Sequence, residues 1–162
     1  MYNHVAQVRS ATQEKGGSGM AQKGSRTKDE IWGLLKKTQS VFLATLDGKR
    51  PRVRPVTMIH YDKKLWVTTG TKDAKVKQIK KNPKFEVSWF LGRKGNPGSL
   101  RLSGTAEIVK DIKTKTEVAG QLKWFNYFWK SASDPNFTLL RLSPDRAEYM
   151  RPGEMKIQKV RL

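Results

Sequence analysis

Residues 51–83 read PRVRPVTMIHYDKKLWVTTGTKDAKVKQIKKNP. Three signals follow one another in this stretch. Arg52 to His60 is rich in β-branched and apolar residues and reads as a strand. Leu65 to Thr69 reads as another, after the turn Tyr61-Asp62-Lys63-Lys64. From Ala74 to Lys81 the spacing changes, with Val76 and Ile79 on one face of a short helix. Asn82-Pro83 ends that helix, because the residue before a proline is driven out of the helical region. Pro51 and Pro55 stand out. Proline cannot donate to a ladder, so their strand is expected at an edge, at a bulge, or where something other than a strand approaches the backbone.

Working outward, Val41 to Leu46 reads as a strand joined to the first by the turn signal Asp47-Gly48. Before it, Thr27-Lys28-Asp29-Glu30 has capping-box spacing, which predicts a helix start there. Ile31, Leu34 and Leu35 supply its apolar stripe, and its end is expected near Lys37. On the other side, Phe85 to Leu91 reads as a fourth strand and GRKGNPG (92–98) as an exposed loop. Ser99 to Val109 reads as a fifth strand with a bulge at Gly104. A helix is expected from Asp111 to Lys123, running into the aromatic cluster WFNYFW (124–129). Phe137 to Met150 holds a last strand or pair, interrupted at Ser143-Pro144. No regular βαβ alternation appears. A small antiparallel barrel with attached helices is the class that fits.

The 162 residues suffice for one packed domain. Residues 1–19 show no usable periodicity and end in Gly-Gly-Ser-Gly before Met20, so they read as a flexible or vector-derived leader, with a single domain over 20–162. No apolar run is long enough to span a bilayer, and the absence of cysteine excludes a disulfide framework or a thiolate metal site. A cytoplasmic location is expected. Lys and Arg number 33 against 14 Asp and Glu, a net charge of +19. That field attracts anions of every size. Its spread from residue 23 to the C-terminus points to a charged folded surface rather than a disordered basic arm.

The lysines of the short helix admit two readings. Its first turn offers free N–H groups and partial positive charge, Lys72 and Lys75 flank it, and Thr69 and Thr71 precede it, which suits a terminal phosphate. Arg54 on the preceding strand adds a planar fork. Alternatively, Lys72, Lys75, Lys77, Lys80 and Lys81 solvate an amphipathic helix. Trp66, Trp89, Trp124, Phe125, Phe128 and Trp129 suit a core or an interface as well as a stacked ring. His60 has no acidic partner at readable spacing and makes no base. There is no hydrolytic triad, zinc spacing or P-loop.

Residues 51–89, within similar order and spacing from about 28 to 150, resemble the FMN-binding core of the pyridoxamine 5′-phosphate oxidase-like split-barrel family, especially its small general-stress-protein branch. The resemblance rests on Pro51-Arg52-Val53-Arg54-Pro55-Val56, on the hydroxyl-bearing end Thr68-Thr69, and on the Lys helix closing in Asn82-Pro83. It implies a six-stranded antiparallel split β-barrel, a homodimer, and FMN at the interface. It places Arg54 and Lys75 at the phosphate, Val53, Pro55 and Val56 along the isoalloxazine ring, and Thr68 and Thr69 at the ribityl-phosphate. Lys72 joins this set from its place beside the first helical turn, not from the resemblance. Asp73 departs from the family, where Ser or Arg is common; an acid there repels phosphate unless turned outward. Trp124 and Trp129 are candidates for a substrate pocket beside the flavin.

The implied function is an FMN-dependent oxidoreductase using a small-molecule electron donor and acceptor. The chain lacks a Trp-Arg-x-x-Arg ending, so vitamin B6 oxidation is not expected. Two alternatives stay open: a deazaflavin cofactor in the same fold, and a non-enzymatic binder of nucleic acid or another polyanion driven by the charge.

Overall fold

The computed structural model describes residues 17–162. The expected leader lies outside them, apart from residues 17–19, which open the first helix. In chain order the elements are α1 (Gly17–Gly33), β1 (Thr38–Asp47), β2 (Arg50–Tyr61), β3 (Lys64–Gly70), α2 (Ala74–Lys81), β4 (Lys84–Arg93) and β5 (Asn96–Ile108). They continue with α3 (Ile112–Gly120), a 3-10 turn (Phe125–Tyr127), β6 (Phe137–Met150) and β7 (Ile157–Arg161).

All strand pairs are antiparallel, in the order β3-β2-β1-β4-β5-β6-β7, and β3 also pairs with β6. That last pairing closes a ring of six strands, the expected split barrel. β7 is an addition, laid along the end of β6 outside the ring. Tight turns set the registers. Gly48 has positive φ (60°) at the first loop position of β1–β2, and Asp62 and Lys63 both have positive φ (51° and 55°) between β2 and β3. The segment 92–98, expected as a loop, is mostly strand, because only Lys94-Gly95 separates the paired Arg93 and Asn96.

Alternate strand residues fill two cores. Inside the ring lie Val41, Leu43, Met58, Leu65, Val67, Val87, Leu100, Leu102, Leu140 and Leu142, with Ile79 of α2 and Ile31 of α1 at its ends. The opposite face of β3 and its neighbours carries Ile59, Trp66 and Leu139 into a second core with Val118, Leu122, Phe125 and Phe137. Gly104 marks the expected bulge: Ser103 pairs with Arg146 and Gly104 with Pro144, so Asp145 is the extra residue. A Cβ at Gly104 would lie 2.1 Å from the Ser143 carbonyl oxygen, so only glycine fits. β6 passes through Ser143-Pro144 by this bulge rather than breaking there.

The capping box is not one. α1 begins at Gly17, so Thr27 and Glu30 lie within it, and it ends at Gly33 rather than near Lys37. Both side chains instead bind the far end of the chain. Thr27 Oγ1 donates to Gln158 Oε1 (3.4 Å), and Glu30 accepts from Tyr149 Oη (2.7 Å) and from Arg151 Nε and Nη2 (2.9 and 2.5 Å). The Arg151 bonds hold the Glu30 carboxyl below its ordinary pKa, while burial and the Glu30 bond push Tyr149 up to about 12. A depressed carboxylate adds stability that is present above its unfolded pKa and lost as pH falls through the folded one. Glu30→Gln is therefore expected to lower Tm at neutral pH, and the gap from the parent should close below about pH 4. Thermal melts of both proteins across pH check it; a gap that persists at low pH would assign the loss to packing instead.

Candidate functional site

The site begins with a strand that runs out of partners. β2 pairs with β1 from Arg50 to Ile59 but with β3 only from Met58 to Tyr61. Among the described residues, 51–57 therefore have a strand on one side only. Hairpin parity tells which groups face the open side. Two-residue turns close on the pairs Asp47–Arg50 and Tyr61–Lys64, and such closing pairs exchange hydrogen bonds. Even-numbered residues of β2 thus bond toward β1, as His60 N–H does to the Lys37 carbonyl (2.9 Å), and odd-numbered ones face the other way. Pro51 and Pro55 are odd, so their missing N–H groups subtract nothing from the β1 ladder. The N–H groups of Val53 and Thr57 point to the open side.

β3 leaves β2 after Val67 but stays paired with β6 on its other edge, from Leu65 through Gly70. The gap becomes a cleft of roughly 500 Å³, lined by Pro55, Val56, Thr57, Thr68, Thr69, Gly70, Asp73, Lys75, Trp124, Phe128 and Trp129. Seven residues expected at the site thus meet there: Pro55, Val56, Thr68, Thr69, Lys75, Trp124 and Trp129. The others do not line it. Val53 places its side chain on the outer face of the barrel, 64% exposed, and reaches the open edge only through its backbone. Lys72 is exposed on the loop before α2.

Arg54 turns to the other side of its strand. Its Nη1 donates to Thr45 Oγ1 (2.6 Å) and to the Leu43 carbonyl (3.2 Å), and its Nη2 to Gln78 Oε1 (2.8 Å). Thr45 Oγ1 donates in turn to Gln78 Oε1 (2.6 Å). Burial first, and then the Arg52 charge, lowers the Arg54 pKa from its ordinary value, though an arginine there stays protonated. All these partners are neutral, so none of them offsets its charge. Thr45 and Gln78 carry no sequence signal of their own; only the fold shows that they orient Arg54.

At the start of α2, Lys75 Nζ donates to Thr69 Oγ1 (2.7 Å) and to Asp73 Oδ2 (2.8 Å), and the Gly70 N–H reaches the same Oδ2 (3.2 Å). Thr69 Oγ1 donates to it as well. Asp73 thus faces inward, the orientation in which an acid there repels a phosphate. The Lys75 bond, then the Thr69 bond, holds its carboxyl below the ordinary range. Lys77, Lys80 and Lys81 point to solvent, the solvated-helix reading for those three.

The opposite wall is aromatic. Phe125 is buried edge-on to Phe137 (4.9 Å between centroids), and Trp129 packs on both while its Nε1 donates to the Asn136 carbonyl (3.2 Å). Trp124 meets Phe128 edge-on at 6.0 Å. Trp66 and Phe125, equally open to either reading from sequence, are core. Phe128, 69% exposed and lining the cleft, belongs with Trp124 and Trp129. Among the described residues no acidic or histidine cluster could hold a metal, and no helix is long and apolar enough to cross a membrane.

Comparison with known proteins agrees with this geometry. The family model for pyridoxamine 5′-phosphate oxidase matches residues 27–151. General stress protein 26 of Bacillus subtilis is 23% identical over 130 residues, 78% of this chain and 90% of that protein. The crystal structure of general stress protein 26 from Bacillus anthracis superposes with a TM-score of 0.67 at 25% identity, covering 85% of this chain and 99% of the other. A Clostridium acetobutylicum protein related to general stress protein 26, of the pyridoxinephosphate oxidase family, shares the fold with a TM-score of 0.65 at 20% identity, over 87% and 95% of the two chains. A closed six-strand ring, a half-paired β2 carrying Pro51 and Pro55, and a family match across the whole barrel lead to one conclusion: the chain belongs to the pyridoxamine 5′-phosphate oxidase-like split-barrel family.

Proposed function

We propose that the chain is an FMN-binding flavoprotein, an oxidoreductase that works as a homodimer. The observation that carries the reading is the unpaired edge of residues 51–57 facing a cleft lined by Lys75 and by Trp124, Phe128 and Trp129. A flat heterocycle with hydrogen-bonding edges matches backbone donors and acceptors on one side and aromatic faces on the other. In this reading Val53 and Thr57 offer backbone N–H groups to the ring, while Pro55 and Val56 form the bed beneath it. Thr68 and Thr69 meet the ribityl chain. Lys75 meets the phosphate, helped by the start of α2. Arg54 adds positive charge from behind the strand, held by Thr45 and Gln78. When bound, FMN supplies the redox chemistry that no side chain of this set offers. The protein's part is to orient a donor against the ring and to keep water out with the aromatic wall. No acid–base group is required of it.

The second copy has a surface to use. Phe42 pairs with Pro55, Ala44 with Val53 and Leu46 with Pro51, on the outer face of β1 and β2. Phe42 is 48% exposed and Val53 64%. This apolar stripe adjoins the open edge of β2, so a partner covering it also walls the cleft. Of the aromatics considered for an interface, Trp66 and Phe125 are excluded by their burial.

Three outcomes are expected. Lys75→Ala weakens FMN about tenfold to hundredfold, the loss of a charge-assisted bond, and affects riboflavin far less. Equal loss of both ligands, read by fluorescence titration, would remove Lys75 from the phosphate. Replacing Lys77, Lys80 and Lys81 together by Gln leaves FMN affinity nearly unchanged. A loss as large as that of Lys75→Ala would mean that a diffuse field binds the ligand, the polyanion reading. Phe42→Asp with Val53→Asp converts a dimer to a monomer in light scattering; a monomeric parent with FMN bound would defeat the dimer.

A further inference from the structure

The anion seat at the start of α2 already contains an anion. Asp73 Oδ2 collects Thr69 Oγ1, the Gly70 N–H and Lys75 Nζ, the last of them the donor assigned above to the phosphate. The fit is close: a Cβ at Gly70 would lie 3.3 Å from Asp73 Oδ1, so the carboxylate rests directly over the glycine. Asp73 also stands at the N-cap of α2, yet its side chain makes no capping bond. Its side chain is 47% exposed, whereas that of Lys75 is 14% exposed. The carboxylate can therefore rotate into water without uncapping the helix, while the ammonium stays in place. A removable charge sits on a fixed cationic seat.

We propose that Asp73 is a built-in competitor for the phosphate seat, which must swing out before a phosphate-bearing ligand can bind and which thereby sets how strongly the site favours neutral over anionic ligands. The identity of that ligand as FMN rests on the function proposed above; the competition for the seat does not. Asp73 uses the single hydrogens of the Thr69 hydroxyl and the Gly70 N–H. Although Lys75 keeps a third N–H, a phosphate there would sit in contact with the carboxylate, and like charges in contact repel. The parent should therefore hold phosphate weakly for a seat so well supplied with donors. A ligand that enters the cleft without a phosphate leaves the Asp73 contacts intact.

The test uses the full chain as parent, Asp73→Asn and Asp73→Ser, the last retaining a residue suited to an N-cap. Each is titrated with inorganic phosphate, followed by the amide shifts of Gly70, Thr71 and Lys75, and separately with FMN and riboflavin. Both variants are expected to bind phosphate about tenfold more tightly or better, and FMN likewise, with riboflavin unchanged within about twofold. If phosphate tightens while neither flavin binds any of the three proteins, the competitor role stands and the flavin reading falls. If phosphate affinity is unchanged or lower in both folded variants, the proposal is overturned, and Asp73 shapes the seat rather than filling it. Absence of any phosphate shift at those amides in all three proteins overturns it too.

Discussion

Among the described residues, strand β2 has paired strands on both sides only at Met58 and Ile59, and the site follows from that shortage. An edge of unpaired backbone is normally a liability, because another strand can add to it. Here Pro51 and Pro55 remove alternate donors on the open side, which blocks strand addition while leaving the β1 ladder whole. β3 pairs with β6 from Leu65 to Gly70 and closes the ring, running on past Val67 without β2 beside it. The β3–β6 pairing completes the barrel, and the early end of the β2–β3 pairing opens the cleft. Moving either proline by one residue would direct its missing N–H at β1 and cost a ladder bond.

The two cores then divide the work. The barrel interior fixes β1, β2 and α2 relative to one another, and through Thr45 and Gln78 it fixes Arg54. The second core anchors the aromatic wall, since Phe125 and Phe137 are buried and Trp129 packs on both. The cleft lies between these two supported bodies, with neither depending on a ligand for its packing. Binding energy is therefore available for selecting the ligand rather than for folding the site.

Local patterns made much of this legible. The strand runs at 41–46 and 52–60, the Asp47-Gly48 turn and the Asn82-Pro83 stop each describe events within a few residues, and each is present. The two prolines announced an unusual edge without saying which side was open. That depends on hairpin parity at both ends of β2, which only the two turn registers supply. The failures are long-range. Thr27 and Glu30 have the spacing of a capping box, but their partners Gln158, Tyr149 and Arg151 lie at the far end of the chain. β7 is short and polar, and its pairing with β6 rather than its pattern makes it a strand. Likewise the inward turn of Asp73 is decided by Thr69, Gly70 and Lys75 together, which no spacing rule encodes.

If the flavin ring lies on the open edge of β2, amide hydrogen exchange shows it residue by residue. In the free protein Val53 and Thr57 N–H should exchange much faster than those of Arg54 and Val56, which bond toward β1. Adding FMN should slow Val53 and Thr57 selectively and leave Arg54 and Val56 almost unchanged. Equal protection of all four without ligand would contradict the unpaired edge. Fast exchange at Val53 and Thr57 that persists with FMN bound would place the flavin elsewhere.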